Sequence, residues 1–98
     1  MSQNVEIIEK IYALFECGDI ESAMAMMSPE IIWYEAEHFP YADGNPYRGR
    51  EEVRINALDR LYRDWANFRQ QVEAIFDAGN AVVMTGRYNG ILEVARFV

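Results

Sequence analysis

The apolar residues of this chain change period partway along it, and that change leaves few folds open. Ile7, Ile8, Ile11, Leu14 and Phe15 recur at the spacing of one stripe of an amphipathic helix. Gly18 is placed to end that helix, and Asp19 to cap a second, short one over Ile20 to Met27 that stops at Ser28-Pro29. From Ile31 the chemistry turns to β: Ile31-Ile32-Trp33-Tyr34 predicts a strand running on towards Glu37. His38 to Gly49 holds Pro40, Gly44, Asn45 and Pro46 and reads as a loop long enough to suggest a task of its own. Arg50 to Phe68 returns to helical spacing, with Leu58, Leu61, Tyr62 and Trp65 on one side. Arg69 to Ala78 and Ala81 to Tyr88 predict a hairpin closed at Gly79-Asn80. Ile91 to Val98, beyond Asn89-Gly90, predicts one more strand. Helices first and antiparallel strands after make an α+β domain with helices on one face of a sheet.

Composition narrows the class. Ninety-eight residues, 51% of them hydrophobic and 26% charged, predict a single globular domain over 1–98. No apolar run approaches the roughly 18 residues that span a bilayer, and the start of the chain has neither a basic nor an apolar signal region. With one cysteine and one histidine there is no disulfide framework and no Cys/His zinc set. These features predict a soluble, cytoplasmic protein without a membrane partner. The net charge of −7 argues against nucleic acid. Up to Tyr47 the only cation is Lys10, whereas from Arg48 onward eight arginines face seven acids. Solubility explains such an imbalance, and so would a gathering of N-terminal acids in one site.

The order of motifs is informative at this point. Glu16-Cys17-Gly18-Asp19, Trp33-Tyr34-Glu35-Ala36-Glu37, Pro40-Tyr41 and Tyr47-Arg48-Gly49-Arg50-Glu51-Glu52-Val53 resemble, in that sequence, the SnoaL-like (polyketide-cyclase-like) branch of the NTF2-like superfamily. Phe76-Asp77-Ala78-Gly79-Asn80 and Gly86-Arg87-Tyr88 continue the likeness, which runs from about Val5 to Gly90. The resemblance implies a cone: a curved antiparallel sheet wrapped by three helices, N-terminal and central, with a pocket at its open end. It also implies two further long strands after Gly90. In this chain the C-terminal strands are expected to be missing or supplied by another chain, and a homo-oligomer, dimeric or strand-exchanged, is expected. The superfamily includes isomerases, cyclases, hydrolases and non-catalytic binders, so the fold alone names no activity. In its ketosteroid isomerases a tyrosine on the first helix stabilises the enolate. That position falls at Ile11, and Tyr12 lies about 100° round the helix from it. The isomerase base aligns best with Glu35. Steroid isomerase activity is therefore not expected.

Strand alternation puts Trp33, Glu35 and Glu37 on one face and Tyr34, Ala36 and His38 on the other. Turned inward, two carboxylates beside an indole would have raised pKa values, as a general acid or base near neutrality requires. Turned outward, they form a solvated edge. Glu35 is the leading candidate catalytic residue, with Glu37 or His38 assisting. A lone histidine beside Phe39-Pro40 more often packs or caps a loop than shuttles a proton. Trp33, Tyr41 and Tyr47 are candidate substrate-binding residues, and Arg54, placed nearer the apolar side of its helix, is the candidate anion contact. Cys17 reads as a buried small apolar residue, and Met24, Met26 and Met27 as core filler. There is no glycine-rich phosphate loop and no metal cluster, so no cofactor and no metal are expected. Two functions follow: a domain that binds a small apolar molecule, acting as an isomerase-, cyclase- or hydrolase-type enzyme through a carboxylate base, or a non-catalytic oligomerisation or protein-interaction module.

Overall fold

The computed structural model describes residues 3–92. They fall into two compact units, one made of the chain up to Met26 with Arg69–Asn89, the other of Met27–Phe68 with the chain from Gly90.

In the first unit, α1 (Gln3–Glu16) buries Ile11 and Phe15 from the stripe expected. Its end is a Schellman turn. Gly18 takes φ +81°, a left-handed conformation that glycine adopts without a steric penalty. The Gly18 N–H donates to the Phe15 carbonyl at 3.0 Å and that of Asp19 to Leu14 at 2.9 Å. Asp19 then caps α2 (Ile20–Ala25), accepting from the Ser22 N–H at 3.1 Å. The helix stops at Ala25, short of Met27, with Ala23 and Met24 buried. Cys17 corrects the sequence reading: it is exposed. It lies in the capping turn just past the last helical residue, where its Sγ donates to the Leu14 carbonyl at 3.3 Å.

In the second unit, β1 (Ile32–Trp33) pairs antiparallel with β2 (Tyr47–Arg48), Ile32 opposite Arg48 and Trp33 opposite Tyr47. The Gly49 N–H extends the ladder to the Ile31 carbonyl at 2.7 Å. The strand expected to reach Glu37 ends at Trp33. Continued register would make 35 and 45 the next pair to exchange backbone bonds, and the Asn45 N–H is instead committed to the Ala42 carbonyl at 3.2 Å. The loop between the strands is not structureless, since Pro40–Gly44 forms a 3₁₀ turn. After β2 one continuous helix runs through α3 (Gly49–Val53), a π turn (Arg54–Leu58) and α4 (Asp59–Asp64). Val53, Ala57, Leu58 and Leu61 are buried from this helix, with Met27, Tyr41 and Tyr47. The widened turn, closed by the Asp59 N–H on the Arg54 carbonyl, lets the adjacent Ala57 and Leu58 both be buried.

The helix ends at Asp64, so Trp65 to Phe68 are not helical as their spacing suggested. They open β3 (Trp65–Asp77), which pairs with β4 (Val82–Leu92). The turn closes through the Ala78 N–H on the Ala81 carbonyl and the Gly79 N–H on Asp77 Oδ1, both at 2.9 Å. The hairpin thus runs farther than 69–88 at both ends. β4 passes unbroken through Asn89-Gly90, where a break was expected. Gly90 marks a close approach instead of a turn: a Cβ there would stand 3.2 Å from Phe68 Cα and 3.3 Å from the Ala66 carbonyl oxygen. Residues 93–98 of the expected last strand lie outside the described residues. The described strands form two separate two-stranded sheets. No helix among the described residues is long and apolar enough to cross a membrane.

Candidate functional site

Glu35 follows β1 and is half-buried. Its backbone is held although the strand has ended: its N–H donates to Asn45 Oδ1 at 2.9 Å, and Asn45 Nδ2 donates to its carbonyl at 2.8 Å. Burial raises its carboxyl above the ordinary glutamate range, because a charge there loses hydration. The Trp33 indole N–H pulls more weakly the other way. That N–H is buried and does not reach hydrogen-bond geometry with any partner. Trp33 and Glu35 are therefore together, as alternation predicted.

Glu37 and His38 are not with them. The chain turns at both, His38 takes φ +71°, and their side chains are 91% and 92% exposed, with 3.8 Å between His38 Nε2 and Glu37 Oε1. The alternation that grouped Glu37 with Glu35 fails because it assumed a strand that stops at Trp33.

Tyr41 and Tyr47 are buried and heavily engaged. Tyr41 donates from its hydroxyl to Asp64 Oδ2 at 2.8 Å. The Arg60 guanidinium lies 4.6 Å over the Tyr41 ring and forks onto Asp43 at 2.9 and 3.1 Å. The Tyr47 hydroxyl accepts from the Gly44 N–H, and its one proton faces both the Tyr41 carbonyl and Asp43 Oδ1. Both phenols are raised above the ordinary tyrosine range, chiefly by burial and then by the carboxylate each one meets. Asp43 is lowered, mainly by its bonds from Arg60 and then Tyr47. The Trp65 indole N–H is a second buried donor short of hydrogen-bond geometry, and it too exerts a pull on a neighbouring oxygen, that of Tyr41. Sequence reasoning missed Asp64, Arg60 and Trp65 as partners of this loop. Arg54 does not face inward: its side chain is 53% exposed and reaches Asp59 at 4.0 Å.

Second-half arginines do answer first-half acids, in Arg60 on Asp43 and in Arg69 on Glu16 at 2.6 Å. A shallow open groove of about 360 Å³ lies in the first unit, its walls including Glu9, Tyr12, Glu16, Val72 and Ile75. Another, of about 500 Å³, lies in the second unit between Pro29 and the start of α3. Glu35 lines neither. Among the described residues no three His, Cys, Asp or Glu side chains converge as a metal centre needs.

An α+β scaffold of helices followed by a long hairpin agrees with the comparisons. Residues 8–96 match the family model of the SnoaL-like domain, and the chain belongs to that family. An NTF2-like protein from Burkholderia thailandensis E264 is similar in structure at a TM-score of 0.85 and 32% identity, over 94% of this chain and 69% of that one. An NTF2-like protein of unknown function from Burkholderia pseudomallei K96243 is similar at a TM-score of 0.81 and 22% identity, over 95% and 71% of the two chains. That second likeness concerns the fold alone. Among curated proteins, none matches the chain.

Proposed function

We propose that this NTF2-like domain binds a small apolar molecule carrying a carbonyl or epoxide oxygen, and that Glu35 exchanges a proton with it. The observation that carries this reading is the Glu35 carboxylate itself, half-buried, beside a buried indole N–H and raised in pKa by desolvation. Such a group holds its proton nearer to neutrality and gains basicity when ionised, as general acid–base work requires. A ligand oxygen accepting from the Trp33 N–H would give that buried donor the well-formed hydrogen bond that Glu35 does not supply. Tyr41 and Tyr47 shape the neighbouring loop, and no step requires a cofactor. Glu37 and His38 stand in solvent, so the chemistry rests on Glu35.

The test is a fluorescence titration with a panel of small aromatic and alicyclic ketones and epoxides, run beside Trp33→Phe. Saturable quenching lost in the variant is the expected result. For any compound turned over, Glu35→Gln should lower kcat by about 10²-fold or more. Turnover unchanged in Glu35→Gln would sink the acid–base role.

A second reading, self-association without catalysis, draws on the hairpin. Phe76, Val83, Tyr88 and Ile91 are 50–63% exposed, more apolar surface than one hairpin ordinarily leaves in water. Sedimentation equilibrium on the wild type and Phe76→Ser decides it: a monomeric wild type removes this reading.

A further inference from the structure

We propose that Asn45 is the positioning residue for Glu35, its side-chain amide standing in for a strand partner. The inference rests on Glu35 being the working carboxylate. The register of β1 on β2 pairs 32 with 48 and 33 with 47, so 35 falls opposite 45. A backbone exchange at that pair would hold Glu35 in the ladder. It is not made, because the Asn45 N–H is committed to the Ala42 carbonyl at 3.2 Å, closing the 3₁₀ turn. The Asn45 carboxamide supplies both halves of the missing exchange, accepting at 2.9 Å and donating at 2.8 Å. Asparagine suits the task because its side chain carries one acceptor and two donors in a plane, like a peptide unit.

The clamp has a consequence for the carboxylate. Tyr34 and Ala36 on either side of Glu35 are exposed, and no regular element holds residues 34–36. Among the described residues Glu35 makes no ion pair, and the polar side chains that meet it are the Trp33 indole, on its carboxylate, and the Asn45 amide, on its backbone. The backbone bonds to Asn45 are what keep that side chain half-buried against Trp33 and not out in water with Glu37.

Two readouts on the intact chain test this, neither needing a substrate. In amide hydrogen exchange by NMR, Asn45→Ala should speed exchange at the Glu35 N–H by roughly five- to tenfold. In a Trp65→Phe background, Trp33 emission followed against pH should show the Glu35 titration, abolished by Glu35→Gln. Asn45→Ala should move its midpoint down towards the ordinary glutamate range. If Asn45→Ala does not fold, Asn45→Ser, too short to reach both groups, carries the same readouts. In the wild type one Asn45 Nδ2 proton should exchange slowly. Unchanged exchange at Glu35 overturns the clamp. Faster exchange with an unmoved Trp33 midpoint overturns the positioning role and leaves a merely structural bond. Neither readout depends on turnover by Glu35, so failure of the acid–base reading is seen separately.

Discussion

The stretch from Met27 to Asp64 and the hairpin from Trp65 to Leu92 differ in how much regular structure each has and how much each buries. The hairpin is regular throughout, with strands of 13 and 11 residues, yet none of residues 65–91 is buried. The earlier stretch contains two strands of two residues each, a long loop and the helix over 49–64; Tyr41 and Tyr47 are buried from the loop and β2, and Val53, Ala57, Leu58 and Leu61 from one side of the helix. Backbone hydrogen bonds fix a shape without supplying a core. In the loop and its flanks side chains take part in both tasks: Asn45, Tyr47 and Arg50 satisfy backbone groups of Glu35, Tyr41 and Met27.

Core truncation is the strongest way to break this comparison. Leu58→Ala and Leu61→Ala should each destabilise the chain by about 2–5 kcal/mol in urea denaturation. Phe76→Ala on the hairpin should change stability by about 0.5 kcal/mol or less. A hairpin variant as damaging as a core one would mean that its exposed face is covered in solution. Next in size is Tyr47→Phe. It leaves the Tyr41 carbonyl without its hydroxyl donor and deprives Asp43 of a partner, and should cost about 1–3 kcal/mol by the same measurement. A neutral outcome would show that Arg60 and the 3₁₀ turn hold the loop unaided.

How far the sequence could be read follows the same division. Features set by neighbours a few residues apart were legible: the Gly18–Asp19 helix junction, the Gly79-Asn80 turn, and Trp33 beside Glu35. Features set across the chain were not. The strand ends at Trp33 because the next donor opposite it, the Asn45 N–H, closes the 3₁₀ turn on the Ala42 carbonyl instead. Tyr41 meets Asp64 across 23 residues, and Arg60 meets Asp43 across 17. Trp65 continues a helical spacing and still leaves the helix, because pairing of its strand with β4 overrides periodicity. Asn45 was visible only as a loop former. An Asn-Pro pair opposite the end of a strand is the signal that would have found it. The resemblance to the SnoaL-like family carried the fold, and alternation placed Glu35 beside Trp33, but neither reached Asn45, which holds the Glu35 backbone.

The smallest effect concerns ionisation within the loop between β1 and β2, where two carboxylates are shifted in opposite directions. Glu35 is raised by burial, so between the ordinary glutamate range and its raised value the native chain binds more proton than the unfolded one. Stability falls as pH climbs through that window, and above it the whole penalty remains. Glu35→Gln removes the penalty, so its stability relative to wild type should rise with pH across the same interval and then level off. Asp43 is lowered by Arg60 and Tyr47, and its contribution runs the other way. It is fully present above the ordinary aspartate range and lost as pH falls through the lowered value, so Asp43→Asn should flatten the acid limb. Urea midpoints at a series of pH values for the three proteins separate these slopes. A Glu35→Gln difference that does not vary with pH would show that Glu35 titrates alike in both states, and would remove burial as the source of its basicity.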